Sequence, residues 1–129
     1  MTNKVILDAS ALLALIQKEP GAEVVKSLLK FSVMSTVNVA ECLTALQRVG
    51  VGTEEGLNLI IDVITAIPPF DLEQAELVAA LQQSVKHKGL SLGDRACIAL
   101  GIKLQAPIYT ADKIWADLKL NNADIRLIR

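Results

Sequence analysis

Short apolar runs alternate along the chain with longer segments whose apolar residues recur at helical spacing. Residues 4–7, 31–35, 107–109 and 125–128 are brief and β-prone, which is typical of buried strands. The segment 64–70 contains Pro68 and Pro69, so any strand there is short and lies at an edge. We therefore expect a sheet of about five strands.

The segments between these runs predict helices with recognisable ends. Pro20 suits the first turn of one helix, and Gly50 ends another. Thr53 is expected to cap the following helix, and Asp71 the one that Gly89 closes. Because strands alternate with helices, residues 1–129 predict a single α/β domain with a mostly parallel sheet covered on both faces.

The composition excludes several classes of protein. Hydrophobic residues make up 52% of the 129 residues, so the chain is not intrinsically disordered. Thirteen basic and 14 acidic side chains leave a net charge of −1, and aromatic residues make up only 3%. These values argue against a polybasic nucleic-acid binder and against a base-stacking platform. No apolar run reaches the roughly 18 residues of a membrane span, and we expect no membrane association.

The two cysteines and the single histidine give little support for a thiol or zinc site. Cys42 and Cys97 are far apart in apolar surroundings, as expected of buried thiols in a reducing, cytoplasmic protein. One histidine makes a histidine-rich zinc site improbable.

Four acidic residues are predicted at one edge of the sheet, where ligands bind in open α/β folds. Asp8 ends the first strand, Glu41 lies in the helix after the second, Asp94 opens a buried helix, and Asp112 follows the fourth strand. Asp94 and Asp112 could instead be helix caps, and Glu41 a solvated side chain. Asp8 is harder to explain this way, because a lone carboxylate between buried elements is costly.

Converging carboxylates repel each other, and a hard divalent cation offsets that repulsion well. Oxygen ligands suit Mg²⁺. A metal ion in such a pocket activates water and stabilises developing charge during phosphodiester hydrolysis. The acidic edge therefore predicts a metal-dependent hydrolase.

Four motifs in this chain resemble the PIN-domain nucleases, and more narrowly the VapC-type toxins of bacterial type II toxin–antitoxin pairs. They are Val5-Ile6-Leu7-Asp8-Ala9-Ser10-Ala11-Leu12-Leu13, Asn38-Val39-Ala40-Glu41, Gly89-Leu90-Ser91-Leu92-Gly93-Asp94-Arg95-Ala96-Cys97 and Tyr109-Thr110-Ala111-Asp112. The resemblance extends from the first strand to Arg129. One departure is Lys113-Ile114 after Asp112, where an Arg-led segment is common.

The resemblance implies a three-layer α/β/α sandwich and a Mg²⁺- or Mn²⁺-dependent endoribonuclease. Carried over motif by motif, its catalytic and metal-binding acids are Asp8, Glu41, Asp94 and Asp112. Ser10 and Thr110 take the polar positions beside two of these acids. The resemblance also implies a homodimer held inactive by a cognate antitoxin, whose basic side chain enters the acidic pocket. The RNA target stays open among tRNA, ribosomal RNA and messenger RNA.

RNA binding by a slightly acidic protein must rely on local positive charge. We predict phosphate contacts from Lys86, Lys88, Arg95 and Lys113, which fall near the same sheet edge. The alternative for Lys86 and Lys88 is a solvated helix end favoured by the helix dipole.

Two other functions compete with the nuclease. One is a catalytically weak or inactive fold that acts through an antitoxin complex in transcriptional autoregulation. The other is a receiver-like or dehalogenase-like phosphotransfer domain. The dehalogenase site needs a second Asp two positions after the first, where this chain has Ser10.

Overall fold

The computed structural model describes residues 3–85 and 88–129 and contains one parallel sheet. Its four strands run in the order β2-β1-β3-β4. The strands are β1 (Val5–Leu7), β2 (Ser32–Val33), β3 (Ile108–Thr110) and β4 (Ile125–Leu127). The helices of the described residues are α1 (Ala9–Ile16), α2 (Ala22–Leu28), α3 (Thr36–Arg48), α4 (Thr53–Val63), α5 (Leu72–Val85) and α6 (Leu92–Leu104), with short 3-10 turns at Leu29–Phe31 and Lys113–Asp117.

The sheet separates two hydrophobic clusters. Side chains of a strand alternate between its faces, so Leu7 packs in one cluster with α1 and Met34, while Ile6 packs in the other with α6 and Trp115. These four side chains, Leu7, Met34, Ile6 and Trp115, are each at most 1% exposed. Helices therefore cover both faces of the sheet, and the predicted three-layer α/β/α architecture is confirmed.

The expected fifth strand is reduced to a single bridge. Ala66 pairs in parallel with Val33 at the β2 edge, and its N–H donates to the Ser32 carbonyl at 3.2 Å. Pro68 and Pro69 follow, and neither has an N–H to continue the pairing. The sheet proper has four strands.

Three helix ends differ from the sequence-based expectations. Gly52, and not Thr53, is the N-cap of α4; Pro20 precedes α2, which begins at Ala22. Ser91, and not Asp94, caps α6. The expected caps at Asp71 and Gly50 are confirmed: Asp71 Oδ1 accepts the Gln74 N–H, and Gly50 has a φ of +89° just after α3.

The strand register brings two of the predicted acids to the same edge. In the β1–β3 pair, Leu7 lies opposite Tyr109. Asp8 and Asp112 follow the carboxyl ends of these adjacent parallel strands. Within the described residues, no helix is both long and apolar enough for a bilayer crossing.

Candidate active site

A cleft of about 570 Å³ opens at the carboxyl edge of the sheet. All four predicted acids line it. The lining residues are Asp8, Ala9, Ser10, Leu13, Val37, Ala40, Glu41, Thr44, Arg48, Asp94 and Asp112. The fold thus brings together carboxylates that lie up to about a hundred positions apart in the chain.

Asp8 is the most enclosed of these carboxylates, with 5% of its surface exposed. Its Oδ1 accepts the Ala11 N–H at 2.9 Å and the Ser10 hydroxyl at 2.7 Å, while Oδ2 accepts the Thr110 hydroxyl at 2.7 Å. Burial raises the pKa of Asp8 from 3.8 to about 6; these three hydrogen bonds lower it, and the charge of Asp94 adds a smaller increase. Asp8 has no cationic side chain as a partner among the described residues.

Ser10 of α1 and Thr110 of β3 form a hydroxyl bridge between these two elements. The Ser10 Oγ accepts the Ala111 N–H at 2.9 Å and lies 3.3 Å from the Thr110 Oγ1. Thr110 Oγ1 accepts the Asp112 N–H at 3.0 Å. The two hydroxyls therefore link the Asp8 carboxylate to the backbone that carries Asp112.

Glu41 is held between α3 and α6. Asn38, one turn earlier on α3, donates from Nδ2 to Glu41 Oε1 at 2.8 Å and to the Gly93 carbonyl at 3.0 Å. A Cβ on Gly93 would overlap the Glu41 carboxylate, so any larger residue there would force that carboxylate to move. Partial burial raises the pKa of Glu41; the Asn38 hydrogen bond lowers it, and the charge of Asp94 raises it further.

Asp94 and Asp112 both serve as helix-end acceptors. Asp94 Oδ2 accepts the Ser91 N–H at 3.0 Å and Ser91 Oγ accepts the Asp94 N–H at 3.1 Å, which is a reciprocal capping box. Asp112 Oδ1 accepts the Ile114 N–H at 3.0 Å at the start of the 3-10 turn. Asp112 is therefore an N-cap as one interpretation expected, whereas Asp94 supports the Ser91 cap from the first turn of α6. Both acids also line the cleft.

The oxygen atoms that line the cleft are of the kind that a hard divalent cation prefers as ligands. The cleft offers carboxylate oxygens and hydroxyls, and a buried carboxylate with a raised pKa lacks a cationic partner. In the described part of the chain, however, no group of three His, Cys, Asp or Glu side chains already stands close enough to hold a metal ion. At least one carboxylate of the cleft would therefore have to move towards a bound cation before three of them could share it.

Unlike the four acids, the basic residues that were predicted to bind phosphate and that the structure describes do not line the cleft. Arg48, which the sequence analysis did not single out, lines the cleft two helical turns after Glu41 and is exposed. Its spacing of seven residues from Glu41 is the signal that could have found it. Arg95 instead donates from its guanidinium to the Val78 carbonyl of α5 at 3.2 Å.

Lys88 and Lys113 are exposed, but neither lines the cleft as described. Lys86 lies outside the described residues. Their predicted phosphate contacts stay predictions.

Both thiols are buried, as expected. Burial, with smaller contributions from the charges of Asp8 and Glu41, raises the pKa of Cys42 to about 12, and the pKa of Cys97 is also raised strongly by burial. Neither cysteine is a nucleophile at neutral pH.

Residues 5–120 match the family profile of the PIN domain. The chain belongs to the PIN-domain family. No protein among curated sequences is significantly similar to it. This PIN domain shares its fold with solved toxin–antitoxin structures at low sequence identity.

Three solved structures illustrate the shared fold. DNA-bound VapBC from Salmonella typhimurium aligns with a TM-score of 0.74 at 13% identity and covers 100% of both chains. VapBC2 from Rickettsia felis, bound to a promoter DNA fragment, has a TM-score of 0.74 at 16% identity over 95% of this chain and 97% of that one. VapC20 from Mycobacterium tuberculosis, a sarcin–ricin loop cleaving toxin, has a TM-score of 0.69 at 17% identity over 88% and 94%.

Proposed function

We propose that this PIN domain is a metal-dependent endoribonuclease and the toxin of a toxin–antitoxin pair. The observation that carries the proposal is the cleft at the sheet edge, where four carboxylates converge and buried Asp8 lacks a cationic partner. Nuclease activity is typical of the PIN family. A binding surface for phosphates alone would not need so many acids, because they repel an anionic ligand.

Asp8, Glu41, Asp94 and Asp112 would hold Mg²⁺ or Mn²⁺. When bound, such an ion supplies Lewis-acid chemistry: it makes water a better nucleophile and offsets the charge of a phosphodiester. The chain's own residues orient the acids. Ser10 and Thr110 fix the Asp8 carboxylate by hydrogen bonds to both of its oxygens.

RNA is the proposed substrate. Support comes from the fold shared with VapC20, whose structure is described as that of a sarcin–ricin loop cleaving toxin. Arg48 is the cation that lines the cleft beside the acids. We assign it a contact with a phosphate next to the scissile one, since seven helical residues place it about 10 Å from Glu41.

The proposed partners are a cognate antitoxin and a second copy of this chain. The structural neighbours from Salmonella typhimurium and Rickettsia felis are VapBC complexes. Val49, Leu57 and Ile61 are apolar and exposed at the α3–α4 side of the domain, where a partner would cover them. Such a protein would act in the cytoplasm.

A second candidate function is a binding module that acts through an antitoxin complex on DNA. The observation in its favour is that both of those neighbouring complexes are DNA-bound. This candidate needs no cleavage and no metal.

Cleavage of total cellular RNA separates the two candidates. Purified protein would be incubated with Mn²⁺, with Mg²⁺ or with EDTA, alongside Asp94→Asn and the matched control Asp62→Asn. Asp62 is exposed on α4, outside the cleft. We expect discrete metal-dependent products from the wild type and from the control, and none from Asp94→Asn.

Equal cleavage by the wild type and Asp94→Asn would contradict the assignment of the site. A complete lack of cleavage by metal-loaded, antitoxin-free protein would favour the binding module.

A further inference from the structure

Glu41 has a supporting structure of its own, which we call the Glu41 seat and define as Asn38 and Gly93. Asn38 is 1% exposed, and its Nδ2 donates both to Glu41 and to the Gly93 carbonyl. Gly93 offers the space in which the carboxylate lies, because a Cβ there would overlap it. The seat thus ties a carboxylate of α3 to the first turn of α6.

We propose that Asn38 is a positioning residue that acts with Gly93 to hold the Glu41 carboxylate in the orientation that binds the divalent cation. This inference rests on the proposed function. It adds a residue that touches neither metal nor substrate and determines how tightly the metal is held.

The hydrogen bonding of Asn38 favours positioning over a simple packing role. Its Oδ1 is buried and has no partner, although each buried amide acceptor left unsatisfied is costly. Both side-chain hydrogen bonds of Asn38 come from its amide nitrogen, and one of them goes to a cleft carboxylate. An apolar residue of similar size would avoid the unpaired oxygen but could not hold Glu41.

Glu41 needs such support for two reasons. Its side chain has several rotatable bonds and is only partly buried, so an unanchored carboxylate would sample many rotamers. The negative charge of Asp94 also acts on it unfavourably. Partners that orient metal ligands in this way commonly account for a 10–100-fold difference in metal affinity.

The first test measures Mn²⁺ affinity by calorimetry on wild type, Asn38→Ala and Gln74→Ala. Gln74 is a matched control: it is also 1% exposed, its Nε2 donates to the Pro69 carbonyl, and its Oε1 also lacks a partner. It lies on α5, outside the cleft. We expect Asn38→Ala to weaken Mn²⁺ binding about 10-fold or more, and Gln74→Ala to leave it unchanged.

A second pair of variants tests the position of Glu41 without altering Asn38. One variant displaces the Glu41 carboxylate, and the other is its control. In Gly93→Ala the new Cβ displaces the carboxylate, whereas in Gly101→Ala, on the same helix, the new Cβ meets Ile108 in the core. We expect Gly93→Ala alone to weaken Mn²⁺ binding, by a similar factor. If Asn38→Ala fails to fold, this pair still tests whether the position of Glu41 determines the affinity for Mn²⁺.

The outcomes separate this inference from the function on which it rests. If the wild type binds Mn²⁺ and Asn38→Ala and Gly93→Ala bind it equally well, the seat has no positioning role. An equal loss in Gln74→Ala or Gly101→Ala would also overturn it, by showing a general effect of destabilisation. If the wild type binds no Mn²⁺ and cleaves no RNA, the proposed function itself fails.

Discussion

Replacing Asp8 with Asn should stabilise the metal-free protein at neutral and alkaline pH. The folded environment raises the pKa of this carboxyl from 3.8 to about 6, mainly through burial. The folded state therefore binds the Asp8 proton more tightly than the unfolded state does. Protonation of Asp8 therefore contributes to the free energy of unfolding. This contribution is fully present below about pH 4 and is lost as the pH rises through about 6.

The size of this loss follows from the pKa difference. About two pKa units correspond to about 3 kcal/mol at 1.36 kcal/mol per unit. Asn can still accept the Ala11 N–H that Asp8 Oδ1 accepts at 2.9 Å, so α1 keeps its N-cap. Its amide nitrogen would face the Thr110 hydroxyl, and rearranging that hydrogen bond costs about 1 kcal/mol. We expect a net gain of about 1–2 kcal/mol at pH 8.

Urea unfolding from pH 4 to pH 8 in EDTA would measure this effect on wild type, Asp8→Asn and the exposed control Asp62→Asn. The stability difference between Asp8→Asn and the wild type should grow between about pH 4 and pH 6 and then level off, whereas the control difference stays flat. A difference that is independent of pH, or that favours the wild type more strongly at pH 8 than at pH 4, would refute the burial argument.

Three further predictions concern the metal, the RNA and a thiol. Mn²⁺ at 100 times its Kd should raise the free energy of unfolding of the wild type by about 2.7 kcal/mol, measured by thermal unfolding. The increase should be much smaller for Asp94→Asn, and an equal increase in both proteins would place the metal elsewhere. In the Asp94→Asn background, Arg48→Ala should lower the salt slope of RNA binding by about 0.7, the value for one single-strand phosphate contact. Lys26→Ala, on α2 and outside the cleft, should leave it unchanged, and an unaltered slope in both would remove Arg48 from the interface. Cys42 should resist alkylation at pH 8 until the protein unfolds, because its pKa is raised to about 12; rapid labelling of native protein would contradict its burial.

The positions of the acids were predictable because each is tied to the end of a strand or to a helix face. Asp8 follows a β-prone apolar run that is typical of a buried strand, and Asp112 follows another. Parallel neighbours place their carboxyl ends at one edge. That the four acids line one cleft follows from local patterns and one topological rule.

Tertiary contacts account for what the sequence did not show. Nothing in the local pattern indicates that a Cβ on Gly93 would overlap a carboxylate, because that carboxylate belongs to Glu41 on another helix. Asn38 lies three residues before Glu41, so their contact was within reach of helical spacing. The direction of Arg95 towards α5 depends on how α5 and α6 pack, which periodicity alone does not specify.

The helix-capping bonds of the acids have a consequence for how this fold can change over generations. Asp8, Asp94 and Asp112 each accept a backbone N–H at a helix start. An Asn side-chain oxygen can accept the same bond, and at the N-cap positions of Asp8 and Asp112 Asn is an equally good residue. A change from Asp to Asn therefore removes a charge and keeps the helix end intact. The proposed metal binding depends on the charge of these oxygens, whereas helix capping depends only on their ability to accept a hydrogen bond. A single substitution could therefore silence the proposed nuclease and leave the fold in place.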